Sequence, residues 1–323
     1  MLSVMTDAVP FLSLERKMAY LYEHSYFPKG ALTAQHEARL GALNFHYFLG
    51  YARNYRLLVP QRAAGITVAD PDDVFRMIDR DHQIAQLLYK GLRHVEWRLR
   101  ALAVEQYCAR FDACGSYLRT TQYLPVRAGS QEEMVRSILG SILRHGEPFV
   151  EDHIAERAKA QGRERPKRYE AARHVEIVGY VEDLPLWAVI DSFTLGTLSH
   201  FITECDGAKD VSERAWKGVA DSLEIRHPVF QSNIESLTVL RNQVSHHARM
   251  WMCPSSVTPK KPQVFDKQLR NADSKSMMIG FANLALFHGR EDRQSFLDEV
   301  DNMVAQDQLY QHGVTKVLSK QKN

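Results

Sequence analysis

The sequence predicts an all-α protein, on three observations. Apolar residues recur at three- and four-residue intervals over much of the 323-residue chain, the period of helices buried along one side. No stretch alternates apolar and polar residues convincingly enough to argue for a sheet, and no repeat period is visible. The segment from Asp72 to about Phe111 holds no proline and one glycine, Gly91. A helix of that length is expected to form the spine of a bundle.

From the N-terminal end, Leu12, Leu14, Met18, Tyr20 and Leu21 predict a helix between Pro10 and Glu23, with Ser13 as a possible cap. A second helix is expected from Thr33 to Leu57, stopping before Pro60, with Leu40, Leu43, Tyr47, Phe48 and Tyr51 on or near one side. Asp70-Pro71 marks the start of the long helix, because proline fits the first helical turn. The segment after it carries Val74, Ile78, Ile84, Leu88, Leu92, Val95 and Leu99. Further helices are predicted over 131–144, 174–181, 185–205, 211–222, 233–252 and 290–311. Two segments read as irregular: Arg157–Arg168, with six basic residues against one acid, and Met252–Asn271, with three prolines.

Composition narrows the function classes. Hydrophobic content of 45% and charged content of 25% suit a soluble globular protein. A net charge of +2 means that any nucleic-acid surface must come from local clustering. The first ten residues lack the basic and apolar regions of a signal peptide. The longest apolar stretch, about Met277–Phe287, is too short to span a bilayer. Cys108, Cys114, Cys205 and Cys253 show neither a paired motif nor zinc-ligand spacing, which fits reduced thiols in a cytoplasmic protein. No cofactor or metal is expected. In the irregular arm Arg157, Lys159, Arg163, Arg165, Lys167 and Arg168 are candidate phosphate contacts, set against the plainer reading of a solvated loop.

The densest chemistry lies in Arg241-Asn242-Gln243-Val244-Ser245-His246-His247-Ala248-Arg249-Met250-Trp251. Arginine offers a permanent planar charge to phosphate oxygens, and histidine can exchange a proton near neutral pH. Continued as a helix, the run places Asn242, His246 and Arg249 at roughly 100°, 140° and 80° from Arg241, on one face. His246 is therefore nominated for chemistry, with His247 and Arg249 in support, while Ile234, Leu237, Leu240 and Val244 hold the helix to a core. His246 and His247 diverge around the helix with no carboxylate at ligand spacing, which argues against a metal site. Glu96 and Arg100 stand one turn apart and are expected to pair, either as a plain ion pair or to orient Arg241 or His246. Trp187 and Trp251 read as packing residues.

Several blocks together resemble the Abi-like (AbiD/AbiF-type) abortive-infection proteins, a branch of the HEPN superfamily. These are Leu43–Tyr51, ending in Gly-Tyr; Ile78-Asp79-Arg80-Asp81; Val95–Arg100; Leu184–Ser199, with its Pro-x-Trp and Gly-x-Leu-Ser; and the Arg241–Trp251 run. Asp191 stands where the family is expected to carry Glu, and Met252 where it carries Asn. The resemblance implies a HEPN-like helical bundle with additional N- and C-terminal helices, divided as 1–65, 66–252 and 253–323. It further implies RNA cleavage at an Arg-x4-His motif, with Arg241 and His246 as the catalytic pair and Asn242 orienting. Two such motifs would meet across a homodimer. The alternative is an RNA-binding protein that holds a structured non-coding RNA, with nuclease activity controlled or replaced.

Overall fold

The computed structural model describes residues 12–206, 210 and 213–317. It is all-α: fourteen helices, with only two isolated β-bridges among the described residues. In chain order these are α1 Leu14–Glu23, α2 Ala34–Ala42, α3 Phe45–Leu58, α4 Pro71–Cys108, α5 Ser130–His145, α6 Pro148–Ala160 and α7 His174–Val181. There follow α8 Leu186–Val189, α9 Leu195–Glu204, α10 Ala215–Ser222, α11 His227–Ser245, α12 Met277–Phe287, α13 Arg293–Ala305 and α14 Gln308–Thr315.

The 38-residue α4 is the spine. At about 1.5 Å per residue it runs roughly 57 Å. Asp70 caps it by accepting from the Asp72 amide, and Pro71 begins the first turn. Its Val74, Phe75, Ile78, Ile84, Leu88, Leu92, Val95 and Leu99 are buried. Helices α3, α9, α10, α11, α12, α13 and α14 all pack against it. Helix α12, the apolar stretch at Met277–Phe287, is buried along its whole length because α4, α11, α13 and α14 surround it. Among the described residues no helix is long and apolar enough to cross a membrane.

Several predicted boundaries are corrected, each by a polar side chain or a turn. The helix expected over 33–57 is two helices. Leu43 is extended, and the Asn44 side chain accepts from the amides of His46 and Tyr47, so Asn44 starts α3 as a cap. The expected 185–205 helix breaks at Phe193, where Thr194 caps α9 through the Thr197 amide. The expected 290–311 helix divides into α13 and α14, the second capped by Asp307. Part of the arm read as irregular is helical: α6 opens on Pro148 and buries Val150, Ile154 and Ala158, carrying Arg157 and Lys159 on it. Ser13 caps α1 as expected. The starts predicted at Pro10 and Val211 lie outside the described residues.

Gly91 serves close packing. A Cβ there would lie 2.5 Å from Phe296 of α13 and 3.1 Å from the His288 ring. That histidine is sandwiched between His94 and Phe296, and its Nδ1–H donates to the Leu284 carbonyl at 3.0 Å. Burial, and secondarily the positive neighbours His94 and Arg98, push its pKa down to about 4. An unfolded histidine titrates near 6.5. Between these values the unfolded chain takes a proton that the folded chain refuses, so stability falls as pH drops through the window, by about 3 kcal/mol in all. Denaturant unfolding at pH 7 and pH 5 should show this slope, flattened in His288→Asn. An equal slope in the variant would assign it to other groups.

Candidate active site on the spine helix

Helix α11 begins with Pro228 in its first turn and runs to Ser245, not to Met252. Its end explains the motif. The His247 amide donates to the Val244 carbonyl, and the Ala248 amide reaches back to the Gln243 carbonyl at 2.9 Å. These are the two hydrogen bonds of a Schellman turn, with His247 in the left-handed position that glycine normally takes. Its φ is +53°. The chain reverses there, so Arg249 is not on the α11 face, and the helical projection that grouped it with Asn242 and His246 is corrected.

Arg249 instead fastens the outgoing segment. Its Nη1 donates to the Trp251 carbonyl at 3.0 Å, and its guanidinium lies 5.7 Å from the Tyr51 ring. It also crosses Gly50 so closely that a Cβ there would sit 3.3 Å from Nε. The segment is locked at Asp81, which is fully buried on α4. The Asp81 carboxylate accepts from the amides of Met250 (2.8 Å) and Trp251 (3.1 Å), and from the hydroxyls of Tyr51 and Tyr310, each at 2.5 Å. Burial raises this carboxyl's pKa, and the four donors oppose that shift. Trp251 is completely buried, donates from Nε1 to the Leu309 carbonyl and stacks on Tyr51, as a packing residue should.

Upstream of the turn, α11 and α4 enclose a cleft. One cavity of about 600 Å³ is lined by His82, Ala85, Gln86 and Tyr89 of α4 together with Val244, Ser245 and His247. A second, of about 260 Å³, shares Tyr89 and Ser245 and adds Leu92, Arg93, Glu96, Trp97, Arg100 and Arg241. A third, of about 730 Å³, continues past Trp97 and Arg100 to Val104, Trp187 and Asp191. Along α4 the lining residues advance by three or four from His82 to Val104, so one helix face forms a groove of roughly 33 Å.

Arg241 is half-buried in this groove and donates from Nη1 to the Asn242 side-chain oxygen at 3.3 Å. His246 and His247 are both exposed, and among the described residues neither ring has a hydrogen-bond partner. By contrast His36, His153, His200 and His227 each pair with a carboxylate. Of the two motif histidines, it is His247 that walls a cavity. The sequence signal for that distinction, a turn without glycine, was hidden by the apolar residues that continue through Trp251. A non-glycine residue in the left-handed region costs on the order of 1 kcal/mol. His247→Gly should therefore raise folding stability by about that amount in denaturant titration, and unchanged stability would remove strain from the account of this turn.

Glu96 and Arg100 do pair, at 2.7 Å, and both line the Arg241 cavity. Arg100 also donates to the Phe193 carbonyl and approaches Asp191 at 3.7 Å, tying the segment after α8 to the spine. The pair is thus a structural tie that forms the floor of the cleft. The basic arm is elsewhere, and its four arginines pair with acids outside it. Arg157 pairs with Asp183, Arg163 with Glu176, Arg165 with Glu151 and Arg168 with Glu170, leaving Lys159 and Lys167 exposed. Trp187, expected to be packed, is 59% exposed at the far end of the groove. The other exposed aromatics of the groove, Tyr89 and Trp97, were not among the candidate site residues.

Fold and site together define an all-α protein with an arginine- and aromatic-lined cleft between a spine helix and the end of an arginine–histidine helix. A model of the Abi-like protein family matches residues 38–252, two-thirds of the chain, and the chain belongs to that family. It is thus an abortive-infection protein in the general sense of the family. The match runs from α2 to Met252, the residue after the buried Trp251. Comparisons with curated proteins and with solved structures returned no match.

Proposed function

We propose that this protein is a HEPN-type endoribonuclease that cleaves single-stranded RNA with side chains alone. One observation carries the reading: among the described residues Arg241 has no acid partner and neither the His246 nor the His247 ring has a hydrogen-bond partner, and all three belong to the C-terminal end of α11 and its closing turn, where Arg241 and His247 line an open groove. An imidazole takes the proton of a ribose 2′-hydroxyl, whose oxygen then attacks the adjacent phosphorus. Arg241, held by Asn242, stabilises the charge that grows on the phosphorane oxygens. The bond to the 5′-oxygen breaks as that oxygen is protonated, leaving a 2′,3′-cyclic phosphate and a 5′-hydroxyl. His246 is the proposed proton carrier, and His247 contacts the strand from the cavity wall. In a homodimer the motifs of two copies would face one another and complete one site.

The test is purified protein with end-labelled RNA in excess EDTA, alongside the same oligonucleotide carrying one 2′-deoxy residue at the cut position. Cleavage is expected in EDTA and blocked by the deoxy substitution. Cleavage of the deoxy strand, or loss of activity in EDTA, would overturn the mechanism.

A further inference from the structure

We infer that the α4 groove is a base-stacking track for single-stranded RNA, centred on Trp97, and that it, not the Arg157–Arg168 arm, supplies strand affinity. This rests on the reading of the cleft as a ribonuclease site and adds the surface that holds its substrate.

Helix α4 buries Leu88, Val95 and Leu99 on its inner side. On the opposite side it exposes Tyr89 by 50% and Trp97 by 62%, and Trp187 faces the same groove at 59% exposure. Large aromatic side chains left this open are uncommon, and here three of them line one path. Cations alternate with them. The Arg93 guanidinium lies 5.1 Å from the centre of the Trp97 ring, and Arg241 faces the same cavity. Among the described residues neither Arg93 nor Arg241 has a carboxylate within ion-pair distance, whereas the arginines of the basic arm are matched by acids. Of the three acids on the path, Glu96 and Asp191 are already committed to Arg100, and Glu147 lines the third cavity rather than the one that holds Arg93 and Arg241.

Free guanidinium charge asks for an anion, and open aromatic faces ask for a flat apolar partner. A single nucleic-acid strand offers both at regular spacing, phosphates to the arginines and bases to the rings. A second copy laid along the Arg93–Trp97 stretch would set like charge against like charge, so there charge complementarity favours the strand, while the motif end of the groove is left to the symmetry mate. Stacking is tolerant of base identity, and the track is therefore expected to bind without strong sequence preference.

The experiment uses the full chain and a fluorescein-labelled, fully 2′-O-methylated octanucleotide, which cannot be cut, read by anisotropy. Trp97→Ala is expected to weaken binding about tenfold or more, with Trp97→Phe restoring most of it and thermal stability unchanged. Charge removal at Lys159 and Lys167 should change affinity far less. Equal affinity in wild type and Trp97→Ala overturns the inference. So does a shift from dimer to monomer in sedimentation with strand affinity unchanged, which would give the surface to a second copy. Failure of the catalytic reading is separable: a chain that cuts no RNA yet loses octanucleotide affinity in Trp97→Ala keeps the track and loses the chemistry. A chain that cuts RNA with equal affinity in Trp97→Ala does the reverse.

Discussion

Replacing Asp81 with alanine is expected to remove roughly 4 kcal/mol of folding stability, a large part of what a domain possesses. The reason lies in what the carboxylate satisfies. It is the common acceptor for two backbone amides, Met250 and Trp251, and for the hydroxyls of Tyr51 and Tyr310, all in a buried environment. Alanine would leave these donors in a dry cavity with nothing to accept from them, and each unsatisfied buried group costs about 1–3 kcal/mol before relaxation. Tyr310→Phe and Tyr51→Phe each remove one donor and leave the rest served, so each should cost only about 1 kcal/mol. The ranking is readable by denaturant unfolding, and a loss below about 1 kcal/mol in Asp81→Ala would mean that water replaces the carboxylate. Because this node fixes the segment that follows the motif, Asp81→Ala should also loosen the end of α11 in hydrogen exchange.

That node shows which parts of the structure could be read from residues alone. The Asp70-Pro71 start and the Ser13 cap were legible because their signals act within three residues. The breaks at Asn44 and Thr194 were not, because one capping side chain outweighed an apolar period that continues on both sides. The end of α11 was concealed in the same way, since Met250 and Trp251 prolong the helical pattern while the chain turns at His247. Arg241, Asn242, His246 and His247 were visible because they are contiguous. The Asp81 node could not be seen: it joins α3, α4, α14 and the post-motif segment, and only packing brings Tyr51 and Tyr310 to one carboxylate. The groove was half visible. Tyr89, Arg93 and Trp97 follow one another at four-residue spacing on α4, a signal of a shared face, but nothing local says that the face stays open. The pairing of the basic arm was not legible because its acids come from α6, the segment between α6 and α7, α7 and the segment after α7: Glu151, Glu170, Glu176 and Asp183.

Arg241→Ala is expected to lower the rate of RNA cleavage about 10³-fold, and His246→Ala about 10²- to 10⁴-fold, with folding stability preserved in both. Arg241 is half-buried at the cleft edge and among the described residues bonds only its sequence neighbour Asn242, so its removal orphans no buried partner there. Its value lies in charge placed where the phosphorane forms. Arg241→Lys should recover only part of the rate, because lysine keeps the charge but loses the planar fork that meets two oxygens at once. A rate within tenfold of wild type in Arg241→Ala would end the proposal for this residue, and a dead His247→Ala beside an active His246→Ala would move the proton carrier one position along. Dimer architecture enters the same measurements. If a working site draws its arginine from one copy and its histidine from the other, mixing the two inactive variants should restore a fraction of activity, because the mixed dimer contains one intact pairing. No recovery at any mixing ratio, with subunit exchange shown to occur, would place each arginine and its histidine in the same chain. The unpartnered groups at the end of α11 would then have to act on RNA without a symmetry mate.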